Sequence, residues 1–334
     1  MSSIRTNTTI EQKATTDKQL HREPTDQIIQ EIGNGLLLKQ KTISSRFFYD
    51  KRGSELFEKI TKLPEYYPPQ VEKELLKKVA PWLISNTKAT DIIELGSGDC
   101  SKISILLDAI KKKQIQNYCY YPVDISESAL KKAVETLRKK YADLTVQPFV
   151  ANFIKHINGL PGTPGNRLLL FFGSTIGNLT RDQSLSFIKK IKNLMAPGDL
   201  FLIGFDRVKD RALLEKAYND AQGITAAFNL NILNVINQHI QSNFNAKDFD
   251  HYAFYNENKN RIEMHLKARK DLQIKSLKLS QQINFEKGET IHTENSHKFT
   301  EEHIRELSNK AGLPIHKIHN DEKEWFSLVL FQKS

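Results

Sequence analysis

LLLFFGSTIGNL, residues Leu168–Leu179, is the stretch whose reading decides the fold. Leu168 to Phe172 is a short apolar run, the pattern of a strand buried on both faces of a parallel sheet. Gly173, Ser174, Thr175, Gly177 and Asn178 follow at once, small or polar where a core would want Val or Leu. Polar residues at the carboxyl end of such a strand lie where open α/β sheets bind ligands. A second phrase of this kind, HTENSHKF (His292–Phe299), stands more than 100 residues downstream.

Working outward from Leu168, strands and helices alternate from residue 91 onward. DIIEL (Asp91–Leu95) reads as a buried strand, Gly96-Ser97-Gly98 as a turn, and Ser101 to Ile110 as a helix with Ile103, Leu106, Leu107 and Ile110 on one face. A strand at Tyr118–Val123 ends in Asp124; a helix over Ser126–Lys140 and a strand over Thr145–Val150 follow. After Leu168–Phe172 come a helix over Asp182–Met195, stopped by Pro197-Gly198, and a strand over Leu200–Phe205. This alternation predicts a right-handed, doubly wound parallel sheet.

The pattern then breaks. Lys209–Ala221 and Ile224–Ile240 read as helices on either side of Gly223, Arg261–Arg269 alternates cleanly as a strand, and Leu277–Phe285 reads as another. A helix over Glu301–Ala311, N-capped by Thr300, leads to strands near 314–318 and 325–331, which complete seven strands. The expected organisation is a polar tail at 1–24, a sheet domain from 71–206 and 299–334, and an inserted α+β domain from 25–70 and 207–298.

Bulk composition narrows the function classes. The 334 residues, 39% apolar and 26% charged, suit one large or two intimate globular domains. No run of 18 apolar residues predicts a membrane span, and the first residues have no apolar signal core. Two cysteines, Cys100 and Cys119, make neither a disulfide framework nor a metal set, so a reducing cytoplasm is expected. The net charge of +10 admits a nucleic-acid partner, but the basic residues are spread among acids and no RNA-reading motif is present. The plainer reading is a Lys-rich enzyme, monomeric, with neither nucleic acid nor membrane as partner.

The turn after the first strand is a candidate cofactor site. Glycines at 96 and 98 let the backbone approach a ligand, and Asp124 at the end of the second strand can accept the hydroxyls of a ribose. Asn152, past the third strand, can meet an adenine edge. Ser101 stands where a dinucleotide fingerprint wants its third glycine, so a nucleoside without a pyrophosphate fits better. That points to S-adenosylmethionine.

Several long phrases then carry a resemblance: FFYDKRGSELFEKITKLPEYYP (47–68), IELGSGDCSK (93–102), FFGSTIGNLT (171–180), AYNDAQGITAAFNLNIL (217–233), RIEMHLKAR (261–269) and TENSHKF (293–299). The chain resembles the histidine Nα-methyltransferases of ergothioneine biosynthesis over about residues 45–330. The resemblance implies a Rossmann-like seven-stranded core with an inserted substrate-binding domain. It implies transfer of three methyl groups from S-adenosylmethionine to the α-amine of histidine, giving hercynine, the first step of that pathway. Relatives of the family act on tryptophan derivatives or in ovothiol-type pathways, so a tryptophan-like or thiohistidine substrate stays open.

Carried over by position, Tyr66, Gly96, Lys102, Asp124, Asn152 and Phe153 match cofactor contacts. Tyr49, Phe57, Tyr66, Gly173, Asn178 and Tyr218 match residues around the substrate amino and carboxylate groups. Met264, Glu294 and Ser296 match residues beside the imidazole. Asn152 stands where one member of the family carries an acid.

The chemistry suits these residue types. Methyl transfer to nitrogen calls for no metal and no covalent intermediate. The protein must bring a neutral amine and the methyl into line and let a proton leave. Asn178, Tyr49 and Tyr218 are the candidate catalytic residues: an amide oxygen for the amine, and aromatic faces and hydroxyls for the growing cation and the carboxylate. Read singly, each has a plainer alternative: Tyr49 and Tyr66 as packed aromatics, Asn178 as a turn residue, Met264 as core, Lys102 as a solvated helix start, Glu294 and Ser296 as a strand face. His292 and His297 read as surface strand residues, without metal-ligand spacing.

Overall fold

The computed structural model describes residues 25–98, 100–125, 127–151, 153–154 and 158–334. The expected tail at 1–24, Ser126 and Asn152 lie outside the described residues.

The chain opens with α1 (Thr25–Leu36), β1 (Lys41–Thr42), α2 (Lys51–Ile60) and α3 (Pro68–Asn86). The alternating part follows: β2 (Asp91–Leu95), α4 (Ser101–Asp108), β3 (Cys119–Asp124), α5 (Glu127–Lys140), β4 (Thr145–Val146), β5 (Phe149–Val150), β6 (Arg167–Phe171), α6 (Arg181–Leu194) and β7 (Leu200–Asp206). The middle block holds α7 (Arg211–Tyr218), α8 (Ile224–Ile240), β8 (Phe249–Asn256), β9 (Arg261–Ala268), β10 (Leu272–Ile274), β11 (Ile283–Phe285) and β12 (Thr290–His297). α9 (Glu301–Ala311), β13 (Ile315–Asn320) and β14 (Phe326–Gln332) close it.

The larger sheet runs β13-β14-β7-β6-β2-β3-β4, with β5 also on β3. Its strands are parallel except β14, which runs antiparallel to both β7 and β13. β2, β6 and β7 are buried along their whole length, as continuous apolar runs require. The seven expected strand positions are present. One of them is two short strands, because Pro148 between β4 and β5 has no N–H for the ladder. Strand order reverses between β2 and β6, so the crevice of the sheet opens over the loops that follow these two strands.

The smaller sheet runs β1-β12-β9-β8, beside the hairpin β10-β11. β8 is missing from the sequence expectation, and the strand expected over Leu277–Phe285 is confined to Ile283–Phe285. One apolar core draws on residues from Ile32 to Tyr67 and from Leu214 to Ile291. Two others line the two faces of the larger sheet. The chain leaves the larger sheet at Asp206 and returns at Phe299 beside it: the Phe299 N–H donates to the Asp206 carbonyl at 2.9 Å. The middle block therefore hangs from a paired exit and entry.

Candidate active site

The two loops over the crevice are shaped by backbone demands. Gly96 has φ 78 and Gly173 has φ 77, the left-handed region that glycine enters freely. Cys100 and Ser174 hold that region without being glycine, at φ 58 and 51. Such positions persist only where surroundings enforce them. At Ser174 the enforcement is visible: its Oγ accepts the Asp206 N–H at 2.9 Å.

Around the first loop, the Gly98 N–H donates to Asp124 Oδ2 at 3.4 Å, and a Cβ on Gly96 would stand 3.4 Å from the Phe153 ring. Ile125, Phe149, Val150 and Ile154 form an exposed apolar rim at this end of the sheet. A carboxylate, an open glycine turn and an apolar rim together fit a nucleoside.

Around the second loop, the Gly173 N–H donates to both Glu72 oxygens, at 2.8 and 2.9 Å, and Lys102 Nζ lies 2.7 Å from Glu72 Oε2. Glu72 is fully buried and joins a residue expected at the cofactor to one expected at the substrate. Gly177 lies in the turn Thr175–Asn178, where a Cβ would come within 2.8 Å of the His297 carbonyl oxygen. The turn therefore lies directly on β12, which brings Asn178 close to the strand carrying Glu294 and Ser296.

β12 owes its geometry to a bulge between His292 and Glu294. His292 pairs with His265, while Glu294 pairs with Met264, so one residue of regular alternation is skipped. The extra residue, Thr293, is buried and donates to Asn229 Oδ1 at 2.7 Å and lies 3.0 Å from the Met264 carbonyl. The skip turns Glu294 and Ser296 toward the crevice and leaves His292 on the outer face.

Tyr49, Phe57, Tyr66, Tyr218, Glu294 and Ser296 come together, from the N-terminal region and the middle block. Tyr49 meets Phe57 and Phe228 edge-on, at 5.6 and 6.0 Å between ring centres, and Tyr66 meets Tyr218 at 5.7 Å. Tyr218 donates to Ser296 Oγ at 2.7 Å. Burial pushes the Glu294 carboxyl up to about 7, against the opposing pull of Lys298. Its side chain is half-buried, so solvent moderates that shift. Burial, then Glu294 and Tyr66, also push the Tyr49 hydroxyl up; that ring is 41% exposed, so solvent softens the effect. Met264 is buried in the apolar core on the same strand face as Glu294.

The sequence reading missed the group beneath these residues. Lys298, with a fully buried side chain, donates to Asp206 Oδ2 at 2.7 Å, Ser296 Oγ at 2.9 Å and Tyr218 Oη at 3.2 Å. Asp206 also accepts from Lys209 and, at 2.8 and 2.9 Å, from the Tyr67 hydroxyl. Burial opposes ionisation of Asp206, but the ammoniums of Lys298 and Lys209 hold its carboxyl below the ordinary value. Burial lowers Lys209 to about 8. A lysine inside a strand phrase and an acid at the end of an apolar strand were the available signals. Lys298 donates to both hydroxyl oxygens and Tyr218 spends its own proton on Ser296, so Ser296 keeps its proton for another acceptor.

His292 and His297 differ from the expectation of surface residues: His292 is half-buried and His297 is buried. His292 stacks on His265 of the neighbouring strand at 4.6 Å, which leaves it only partly solvated. A separate hollow lined by Arg181, His297 and His303 is reached by neither Glu294 nor Ser296.

Residues 28–333 match the family described as histidine-specific methyltransferase, SAM-dependent. The histidine N-alpha-methyltransferase of Mycolicibacterium smegmatis is 36% identical over 85% of this chain and 88% of its own length. That of Mycobacterium tuberculosis is 36% identical over 91% and 94%. Ergothioneine biosynthesis protein 1 of Schizosaccharomyces pombe is 30% identical over 83% of this chain and 37% of its own length.

Proposed function

Since the chain belongs to the family of SAM-dependent, histidine-specific methyltransferases, we propose that it methylates the α-amine of L-histidine stepwise to the trimethylated betaine, hercynine, as the entry step to ergothioneine. The observation that carries the reading is the joint approach of Glu294, Ser296 and Tyr218 over buried Lys298, facing the turn that ends at Asn178.

When bound, S-adenosylmethionine supplies a methyl on a sulfonium for in-line transfer. Asp124, the Gly96 turn and Phe153 would hold the nucleoside, with Lys102 and Tyr66 at the amino-acid end of the donor. The α-amine of histidine lies against Asn178, whose side-chain oxygen accepts its N–H and aims the lone pair. Tyr66 and Tyr218, the latter by turning its hydroxyl from Ser296, take the carboxylate. Tyr49 and Phe57 face the ammonium as it gains methyls, where cation–π attraction is worth on the order of 0.5–2 kcal/mol.

Glu294 accepts an imidazole N–H and Ser296 donates to the other nitrogen, with Met264 and Gly173 shaping the walls. A plain indole would leave Ser296 without a partner, and such losses discriminate strongly. The apolar cores support a division into a substrate-binding unit at 25–70 and 207–298 and a donor-binding unit at 71–206 and 299–334. We further read the protein as a cytoplasmic monomer with no nucleic-acid or membrane partner. Neither cysteine is in a disulfide, and no described helix is long and apolar enough to cross a membrane.

Mass spectrometry of L-histidine incubated with the protein and S-adenosylmethionine tests the reading. Successive gains of one, two and three methyls are expected. No gain on histidine, with donor binding intact by calorimetry, would overturn it.

A further inference from the structure

The outer face of the smaller sheet carries a second cluster that the methyl transfer does not use. Glu263 and His265 on β9 and His292 on β12 each offer a ligand atom, all within 4.8 Å of one another. Glu263 and His265 are buried and His292 is half-buried. The rings of His265 and His292 lie 4.6 Å apart and nearly parallel. We propose that Glu263, His265 and His292 form a binding site for a divalent transition ion of the zinc type, separate from the active site.

The donor set and its surroundings carry the assignment. Two imidazoles and a carboxylate suit zinc and its neighbours rather than magnesium or calcium, which prefer all-oxygen sites. Metal-binding histidines ordinarily have the second ring nitrogen fixed by an oxygen. Both do here: His265 Nδ1 lies 3.2 Å from Thr290 Oγ1, and His292 Nε2 lies 3.0 Å from the Glu294 carbonyl. That leaves His265 Nε2 and His292 Nδ1 as ligands. His265 Nε2 is 3.2 Å from Glu263 Oε2, the separation of two ligands on one tetrahedral ion. An ion on Nε2 needs the neutral ring's one proton on Nδ1, where Thr290 Oγ1 can accept it.

Arg261 and Asn256 occupy only the other oxygen, Oε1, at 2.6 and 2.9 Å, which holds the carboxylate in a one-oxygen mode. The Arg261 charge opposes a cation and sets the site to moderate affinity. Asn295, paired directly opposite Glu263, has a buried Oδ1 without a hydrogen-bond partner, a further oxygen on the same face.

The site spans the bulge that turns Glu294 toward the crevice. An ion held by His265 and His292 ties β9 to β12 one residue before Thr293 and stiffens the strand that presents Glu294. It is a clip, not a participant in the chemistry.

Equilibrium dialysis of the full chain against zinc, without histidine because histidine chelates the ion, tests the site. One bound equivalent is expected in the wild type, with binding at least tenfold weaker in Glu263→Gln and His292→Gln variants that keep the wild-type circular dichroism. No equivalent in the wild type, or equal binding in both folded variants, would overturn it. If the variants do not fold, histidine NMR of the wild type decides. Zinc-induced shifts at His265 and His292 support the site, and shifts confined to other histidines refute it.

Discussion

At the scale of single residues, the candidate active site depends on Lys298, which lies inside the phrase TENSHKF but was given no role there. It reverses nothing in the local fold, yet it decides which way two hydroxyls point. Lys298→Met removes a charge-assisted donor from both Tyr218 and Ser296, interactions worth about 1.5–3 kcal/mol each when charged. The KM for histidine should rise at least tenfold while donor affinity changes by less than twofold, by calorimetry with each ligand. Equal losses for both ligands would show a merely structural role. Glu294 is the complementary case. With its carboxyl pushed up to about 7, it is protonated at pH 6 and ionised at pH 8. Only the ionised form accepts an N–H with both oxygens, so histidine affinity should rise through pH 7. Glu294→Gln should bind histidine about ten- to a hundredfold more weakly and lose that inflection. The residues proposed to touch ligand are legible as phrases, because polar side chains at strand ends have no packing reason to be there. Lys298 and Glu72 were not, because a buried ion pair leaves no periodic trace in one sequence.

At the scale of elements, α8 and α9 were read best, whereas α1, α2 and α3 were not anticipated. α8 and α9 have the bounds that the sequence suggests, because each has a clear start: Asp220 accepts the Ile224 and Thr225 N–H groups, and Thr300 caps α9. β8, FDHYAFYN, was missed because its outer face carries aromatics, which blur the alternation. The bulge at Thr293 was also invisible, since a skip in register depends on the partner strand. It matters more than any single strand, because it turns Glu294 and Ser296 inward. The turn Thr175–Asn178 is the matching piece. Gly177→Ala places a Cβ within 2.8 Å of the His297 carbonyl, so the turn must lift off β12. The expected result is a loss of about 1–3 kcal/mol in stability from overpacking and at least a tenfold fall in kcat/KM for histidine. Chemical denaturation and steady-state rates measure both; unchanged rates would mean the turn need not sit on β12.

At the scale of the whole molecule, the break in β-α alternation after β7 revealed an insertion, but not that its two ends run side by side at Asp206 and Phe299. The open crevice has a stability consequence. The folded-state value of Glu294 lies above its ordinary one, so its contribution is fully present below about pH 4.5 and is lost as pH rises through about 7. Relative to Glu294→Gln, the ligand-free wild type should lose about 1–3 kcal/mol between pH 5 and 8, a figure reduced for the solvent in the crevice. Parallel denaturation curves at both pH values would contradict this. The apolar rim of Ile125, Phe149, Val150 and Ile154 should make nucleoside binding carry a negative heat-capacity change, smaller in Ile125→Ser; calorimetry at several temperatures measures it. That rim has a further consequence. On the proposed reading it meets only the adenosine end of the donor, which is the same before and after the methyl has gone. A charged donor and a spent one therefore compete for it on nearly equal terms, and throughput follows the ratio of the two in the cell more than the amount of either.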